Sequence, residues 1–133
     1  MRYKTIPGSL LTSLWAFLLF NMIFRDLHQF GKADFIKEVM SGTVNGVNIT
    51  DELMLFGGFL AEIPIAMLLV SKFAGNKTSK WANVIAALIT MFVLVSGLPY
   101  ADLDDIFFLV IEVFTLLMII WSAWKLGAVH YSE

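Results

Sequence analysis

Apolar residues run through this chain in long continuous blocks separated by short polar stretches that carry most of the charge. Four blocks, at residues 10–30, 53–73, 81–99 and 106–126, reach the length of a membrane crossing. A helix needs about 20 apolar residues for this, because the hydrocarbon layer is roughly 30 Å thick and each residue rises about 1.5 Å. Polarity does not alternate within the blocks, as it would along the strands of a membrane barrel. The pattern predicts an all-α fold, a four-transmembrane-helix bundle making one integral membrane domain over residues 1–133. The first block follows Arg2 and Lys4 and has the outline of a secretory signal. Its apolar run is too long, however, and no small-residue cleavage site precedes Arg25 and Asp26, so it is read as a retained span.

The connections differ in length and charge. Residues 31–52 form the long one, with a short amphipathic stretch at Ala33–Met40. An Asn45-Gly46 pair follows between β-branched residues, a strong local signal for a tight hairpin turn. Asp51 and Glu52 then stand at the start of the second span, where the helix dipole favours negative charge. The second turn carries Lys72, Lys77 and Lys80 and no acid, and Lys125 closes the fourth span. The third turn, residues 98–105, carries Asp102, Asp104 and Asp105 and no base. Lysine and arginine accumulate on the cytoplasmic side of membrane proteins. This predicts both termini inside and the long loop between spans one and two outside. Trp81, Trp121 and Trp124 fall at the cytoplasmic ends of spans three and four, where indole prefers the interface. Asn48-Ile49-Thr50 and Asn76-Lys77-Thr78 match the glycosylation sequon on opposite sides, so neither is given weight. No internal repeat or pair of broken helices is visible.

Composition agrees with a lipid environment. Of 133 residues, 59% are apolar and 15% charged, against about a quarter charged in soluble domains. Cysteine is absent, which excludes disulfides, thiolate nucleophiles and cysteine-held zinc, iron–sulfur or haem groups. A net charge of −2 gives no sign of a nucleic-acid partner. No cofactor is implied, and the lipid bilayer is the partner that composition demands.

Ionisable groups inside a span are costly and are candidate functional residues. Arg25, Asp26, Glu62 and Glu112 are the four, with Glu62 roughly 13 Å into its span and Glu112 roughly 9 Å into its own. Antiparallel neighbours would bring all four into the outer half of the bundle. Asn21, Arg25 and His28 follow at helical spacing and form a polar stripe. Asp26 is turned about 100° from Arg25, away from a shared partner. Pro64 removes an N–H just after Glu62 and frees a carbonyl one turn earlier. Thr115 lies on the face of Glu112, and Ser96 reaches the same depth from span three. Three carboxylates against one guanidinium leave negative charge to be met by protons, water or a cation; Arg25 would neutralise Glu62 or Glu112. An Arg–Glu pair between helices also serves simply to fix their packing. One histidine with scattered carboxylates lacks the spacing of a metal site, and His130 lies in the opposite tail from His28, which excludes a bis-His haem.

Several blocks together resemble a known family. Leu14-Trp15 with Asp26, Ser41-Gly42-x-Val44-x-Gly46 and Leu60-x-x-Ile63-Pro64-x-Ala66-Met67 are three of them. Phe108-x-x-x-Glu112 and Ile120-Trp121-x-Ala123-Trp124-Lys125 complete the set. From about Ser13 to Lys125 the chain resembles a domain-of-unknown-function family of small bacterial four-helix membrane proteins, similar in size and layout to the DoxX-like proteins. The likeness implies a multi-pass protein of the bacterial inner membrane, with Asp26 and Glu112 at the family's acidic positions. It brings no activity with it.

Three functions are therefore expected to compete. The first is a non-enzymatic membrane protein whose acidic pocket (Asn21, Arg25, Asp26, His28, Glu62, Glu112 and Thr115) binds a small ligand, cation or proton. The second is an accessory subunit or homo-oligomer, packed through Gly57, Gly58 and Ala61 and the Ala82/Ala86 face. The third is a membrane enzyme on lipid or quinone, with a buried glutamate as general acid and Asp26 or His28 as base.

Overall fold

A computed structural model of the chain describes residues 7–126, so Arg2, Lys4 and His130 lie outside the described residues. Each apolar block is a helix. α1 spans Pro7–Gln29, α3 Asp51–Phe73, α4 Asn76–Ser96 and α5 Leu103–Leu126. All four are long and apolar enough to cross a membrane. Between α1 and α3 lie a short helix α2, Ala33–Met40, and a two-stranded hairpin of β1, Thr43–Val44, and β2, Val47–Asn48. Thr43 pairs with Asn48 and Val44 with Val47. Asn45 and Gly46 both take positive φ at the tip, the conformation the two-residue turn requires.

Helix starts fall two, five and three residues before the apolar blocks for α3, α4 and α5. Polar first turns account for this. The Thr50 side chain accepts a hydrogen bond from the Leu53 N–H, and Asp51 and Glu52 follow in the first turn. At α5 the Asp105 carboxylate reaches back to the Asp102 N–H, half of a capping box. Hydropathy sees these residues as loop; side-chain caps make them helix at α3 and α5, whereas α4 starts from Gly75 without one. Gly97 ends α4, and Pro99 sits in a 3-10 turn, Leu98–Tyr100, that leads into α5.

The long helices pack in a ring, α1–α3–α4–α5, each against two neighbours. Their alternating direction gives the bundle two chemically distinct ends. One carries Lys72, Lys77, Lys80 and Lys125; the other carries Asp51, Glu52, Asp102, Asp104, Asp105 and the loop region. The interior is built from narrow stripes, with Leu11, Trp15 and Leu18 on α1 meeting Leu109, Leu116, Ile119 and Ala123 on α5. Phe20, Phe24, Phe59, Phe92, Phe107 and Phe114 all face outward. That distribution suits a bundle in lipid, where burying hydrocarbon brings no gain and close packing and polar contacts hold helices together. Gly8 shows the closeness: a Cβ there would stand 2.8 Å from the Ser71 carbonyl oxygen.

The basic half has a closed polar network. Trp15 Nε1 donates across the bundle to Asn83 Oδ1 at 2.6 Å, and Ser71 Oγ donates to the same oxygen at 2.9 Å. Asn83 Nδ2 donates to the Ser79 carbonyl at 2.8 Å and to Ser79 Oγ at 3.2 Å. Three helices are thereby tied through one buried amide. At the rim, Trp81 and Trp124 meet edge to face, Lys80 Nζ lies 4.0 Å from the Trp124 ring centre, and Lys125 Nζ lies 3.7 Å from that of Trp121.

Candidate functional site

The acidic half is organised around Arg25. Residues Leu11, Trp15, Leu18, Met22, Arg25 and Gln29 form one stripe of α1, at alternating steps of three and four. This stripe carries the apolar core of the basic half into a polar patch at the other end. On α5 the matching stripe is Asp105, Leu109, Glu112, Leu116 and Ile119, all buried. Where the two meet, Arg25 Nη1 donates to Glu112 Oε2 at 2.7 Å. The glutamate side chain has no exposed surface and that of the arginine is 17% exposed. Such a charge-assisted bond in a low-dielectric site is short and strong. Glu112 Oε1 remains buried with no partner.

Arg25 Nη2 also approaches Asp26 Oδ1 at 3.6 Å, so the guanidinium lies between two carboxylates. The 100° turn between adjacent residues does not keep them apart, because the long arginine side chain swings back; the Asp26 carboxylate itself is 69% exposed. One turn on, Gln29 Nε2 donates to Asp105 Oδ1 at 3.2 Å. Above this layer Lys32 Nζ holds Asp102 Oδ2 at 2.8 Å and Asp104 Oδ1 at 3.0 Å. These two hydrogen bonds raise the Lys32 pKa above the ordinary lysine range.

A cavity of about 330 Å³ opens beside the Arg25 cluster, between α1, α3, α4 and α5. Arg25, Asp26, Gln29 and Asp105 form its polar wall, and Met22, Leu60, Ile89, Val93 and Leu109 its apolar one. Thr90 lines it too, with a buried hydroxyl that has no partner although a helical threonine can bond its own backbone. Leu60 is the residue whose carbonyl loses its helical donor to Pro64. A second cavity, about 480 Å³, shares Gln29, Asn45, Tyr100 and Asp105 with the first and adds Lys32, Asp34, Glu38 and Asp102. Among the described residues no group of three His, Cys, Asp or Glu side chains is placed to hold a metal ion.

Of the seven residues expected to form the pocket, Arg25, Asp26 and Glu112 come together and four do not. Glu62 is the main correction. It is exposed on the outer face of α3, in neither cavity. Depth alone suggested convergence, but Glu62 stands two residues, about 200°, from the inward stripe of Leu60, Pro64, Met67 and Ser71. Asn21 donates to the Phe17 carbonyl of its own helix, and Thr115 to that of Ile111, both at 2.8 Å. His28 is exposed, 3.8 Å from Asp104 and beside the Phe108 ring. Ser96 bonds the Val93 carbonyl and lies outside the cavity wall. In their place come Gln29, Thr90 and Asp105. The signal for Asp105 was its position seven residues before Glu112, on the same helical face; for Gln29 it was the step of four from Arg25.

Residues 2–129, nearly the whole of the 133-residue chain, match one family. The chain belongs to the family of unknown function DUF6326. No curated protein and no solved structure matches it, so the layout shared with DoxX-like proteins finds no support. Membership assigns no chemistry to Arg25 or Glu112, and it is the four long apolar helices that suit a multi-pass membrane protein.

Proposed function

We propose that this DUF6326 protein sits in a bacterial inner membrane with its lysine-rich end in the cytoplasm and uses the cavity beside Arg25 to bind a small organic cation from outside. The observation that carries this reading is the charge balance at the cavity. Asp26 and Asp105 in its wall and Glu112 behind Arg25 are three carboxylates against one guanidinium, with Asp105 and Glu112 buried between the helices. Arg25 satisfies one oxygen of Glu112, and the remaining negative charge favours a cationic guest over a neutral or anionic one. The apolar wall of Met22, Leu60, Ile89 and Val93 suits an aliphatic body attached to that charge. The volume is at the lower end of the roughly 300–1,000 Å³ usual for ligand sites. Asp34, Glu38 and Asp102, against Lys32, line the neighbouring cavity and would raise the local concentration of cations at the mouth.

The test is thermal unfolding in nanodiscs with n-butylammonium chloride as probe, compared with sodium chloride at equal ionic strength. A ligand that binds only the folded protein raises its melting temperature, and the rise grows with the logarithm of its concentration once that exceeds the Kd. The expected result is stabilisation by the amine salt that disappears in Asp26→Asn/Asp105→Asn. Equal curves in the two salts, or an amine effect that survives the double substitution, would overturn the assignment.

A further inference from the structure

The feature that the Arg25 cavity leaves unexplained is Glu62. It is the central residue of α3, eleven positions from either end, or roughly 16 Å from each interface. Its side chain is exposed on the outside of the bundle, and among the described residues no hydrogen bond or ion pair is formed to it. In a membrane this puts a carboxyl group in the hydrocarbon midplane, where an unmatched ionisable group is most costly. Among the described residues no base stands at that depth: Arg25 faces Glu112, and the lysines lie toward the two ends.

The same face of α3 has the form of a helix-pairing seam. Leu55, Gly58, Glu62, Ile65 and Leu69 follow at alternating steps of three and four, and all five are exposed. That spacing keeps one stripe facing a partner helix over the length of a left-handed pair. A Cβ added at Gly58 would meet nothing within 4 Å, so no contact inside the chain accounts for glycine one turn from Glu62. Glycine is a poorer helix former than alanine, and in membranes it lets a second backbone approach closely. α3 is also the long helix least covered by the rest of the chain.

We infer that the Gly58–Glu62 face of α3 is the interface of a homodimer, with the two Glu62 carboxyl groups hydrogen-bonded to each other across a two-fold axis along the membrane normal. A second copy in the same orientation is the one partner whose polar group falls at the matching depth without further assumption, because the axis carries each Glu62 onto its mate. Two neutral carboxyl groups pair with each donating to the other, and such a pair carries no charge and needs no counter-ion. A single polar position in an otherwise apolar seam fixes register in just this way.

The natural absence of cysteine allows a direct test. Ile65→Cys, Leu69→Cys and, as a control on the outer face of α5, Phe114→Cys are oxidised in lipid bilayers. The dimer predicts disulfide-linked pairs for the two α3 positions and none for Phe114→Cys. Single-molecule photobleaching in bilayers then reads the monomer–dimer equilibrium. Glu62→Gln, which retains donor and acceptor, keeps the dimer, whereas Glu62→Leu weakens it about tenfold. Glu62 is outside the cavity, so Glu62→Leu leaves any butylammonium stabilisation intact, and loss of one property does not imply loss of the other. A chain that stays monomeric at every density, crosslinks equally at Phe114→Cys, or dimerises as well with leucine as with glutamate at position 62 would overturn the inference. So would recovery of α3 crosslinked to a different protein in place of itself.

Discussion

The two halves of the bundle solve the same problem differently. Both bury polar side chains between helices. In the basic half, Asn83 has its oxygen shared by Trp15 and Ser71 and its amide used by Ser79, so the hydrogen-bonding capacity of its side chain is filled. In the acidic half, Arg25 satisfies half of Glu112, and Glu112 Oε1 and Thr90 Oγ1 are left without partners near a cavity. A satisfied network rigidifies a core, while a partly satisfied one costs stability wherever it is found. The contrast separates the polar groups that hold these helices together from those available to something else.

The largest effect should come from breaking the charge pair on one side. Arg25→Met leaves Glu112 buried and unpaired, and is expected to destabilise the bundle by about 3–5 kcal/mol in reversible unfolding in bicelles. Arg25→Met/Glu112→Leu removes both charges and should recover most of that loss, because apolar residues of similar size replace buried ion pairs at little cost. If the pair were instead a stabilising clamp like the Asn83 network, the double variant would be at least as unstable as the single. Asn83→Leu comes next. It leaves the Trp15 N–H and the Ser71 hydroxyl without an acceptor and should cost about 1–3 kcal/mol by the same measurement, with no effect on amine binding.

The sequence made much of this arrangement readable. Uninterrupted apolar blocks marked the four long helices, and Asn45-Gly46 marked the hairpin turn. The depth of Arg25, Asp26 and Glu112 pointed to a shared polar layer, since depth follows from counting residues along a span. Facing does not follow from counting when a helix is apolar on every side, and this is why Glu62 was misplaced: α3 has no polar stripe to orient it. Asp105 was hidden by its charge, which reads as loop, although its cap to the Asp102 N–H makes it the first inward residue of α5. The Asn83 network leaves little trace in the sequence for a simpler reason. Asn83, Ser71 and Ser79 carry no charge, so they do not stand out from an apolar block, and the step of four between Ser79 and Asn83 was the available clue.

Smaller changes sharpen the contrast further. Thr90→Val removes a buried hydroxyl that has no partner while keeping its shape. It should therefore raise stability by up to about 1 kcal/mol, the opposite sign from Asn83→Leu. The smallest effect belongs to Lys32, which is partly exposed; Lys32→Met should change stability by less than about 1 kcal/mol. The raised pKa of Lys32 sets the sign of its pH dependence. Its contribution is complete below the ordinary lysine value and is lost only as pH rises through the higher folded value. Wild-type and Lys32→Met unfolding curves should then stay a constant distance apart between about pH 6 and 9.

An organic cation bound in the cavity beside Arg25 can be located there directly. Crystals grown in a lipidic phase and soaked with 2-bromoethylammonium would report the bromine by its anomalous scattering. A peak is expected within the space bounded by Arg25, Asp26, Thr90 and Asp105 and absent in Asp26→Asn/Asp105→Asn. Bromine found only among the surface acids of the loop region, or nowhere, would contradict it.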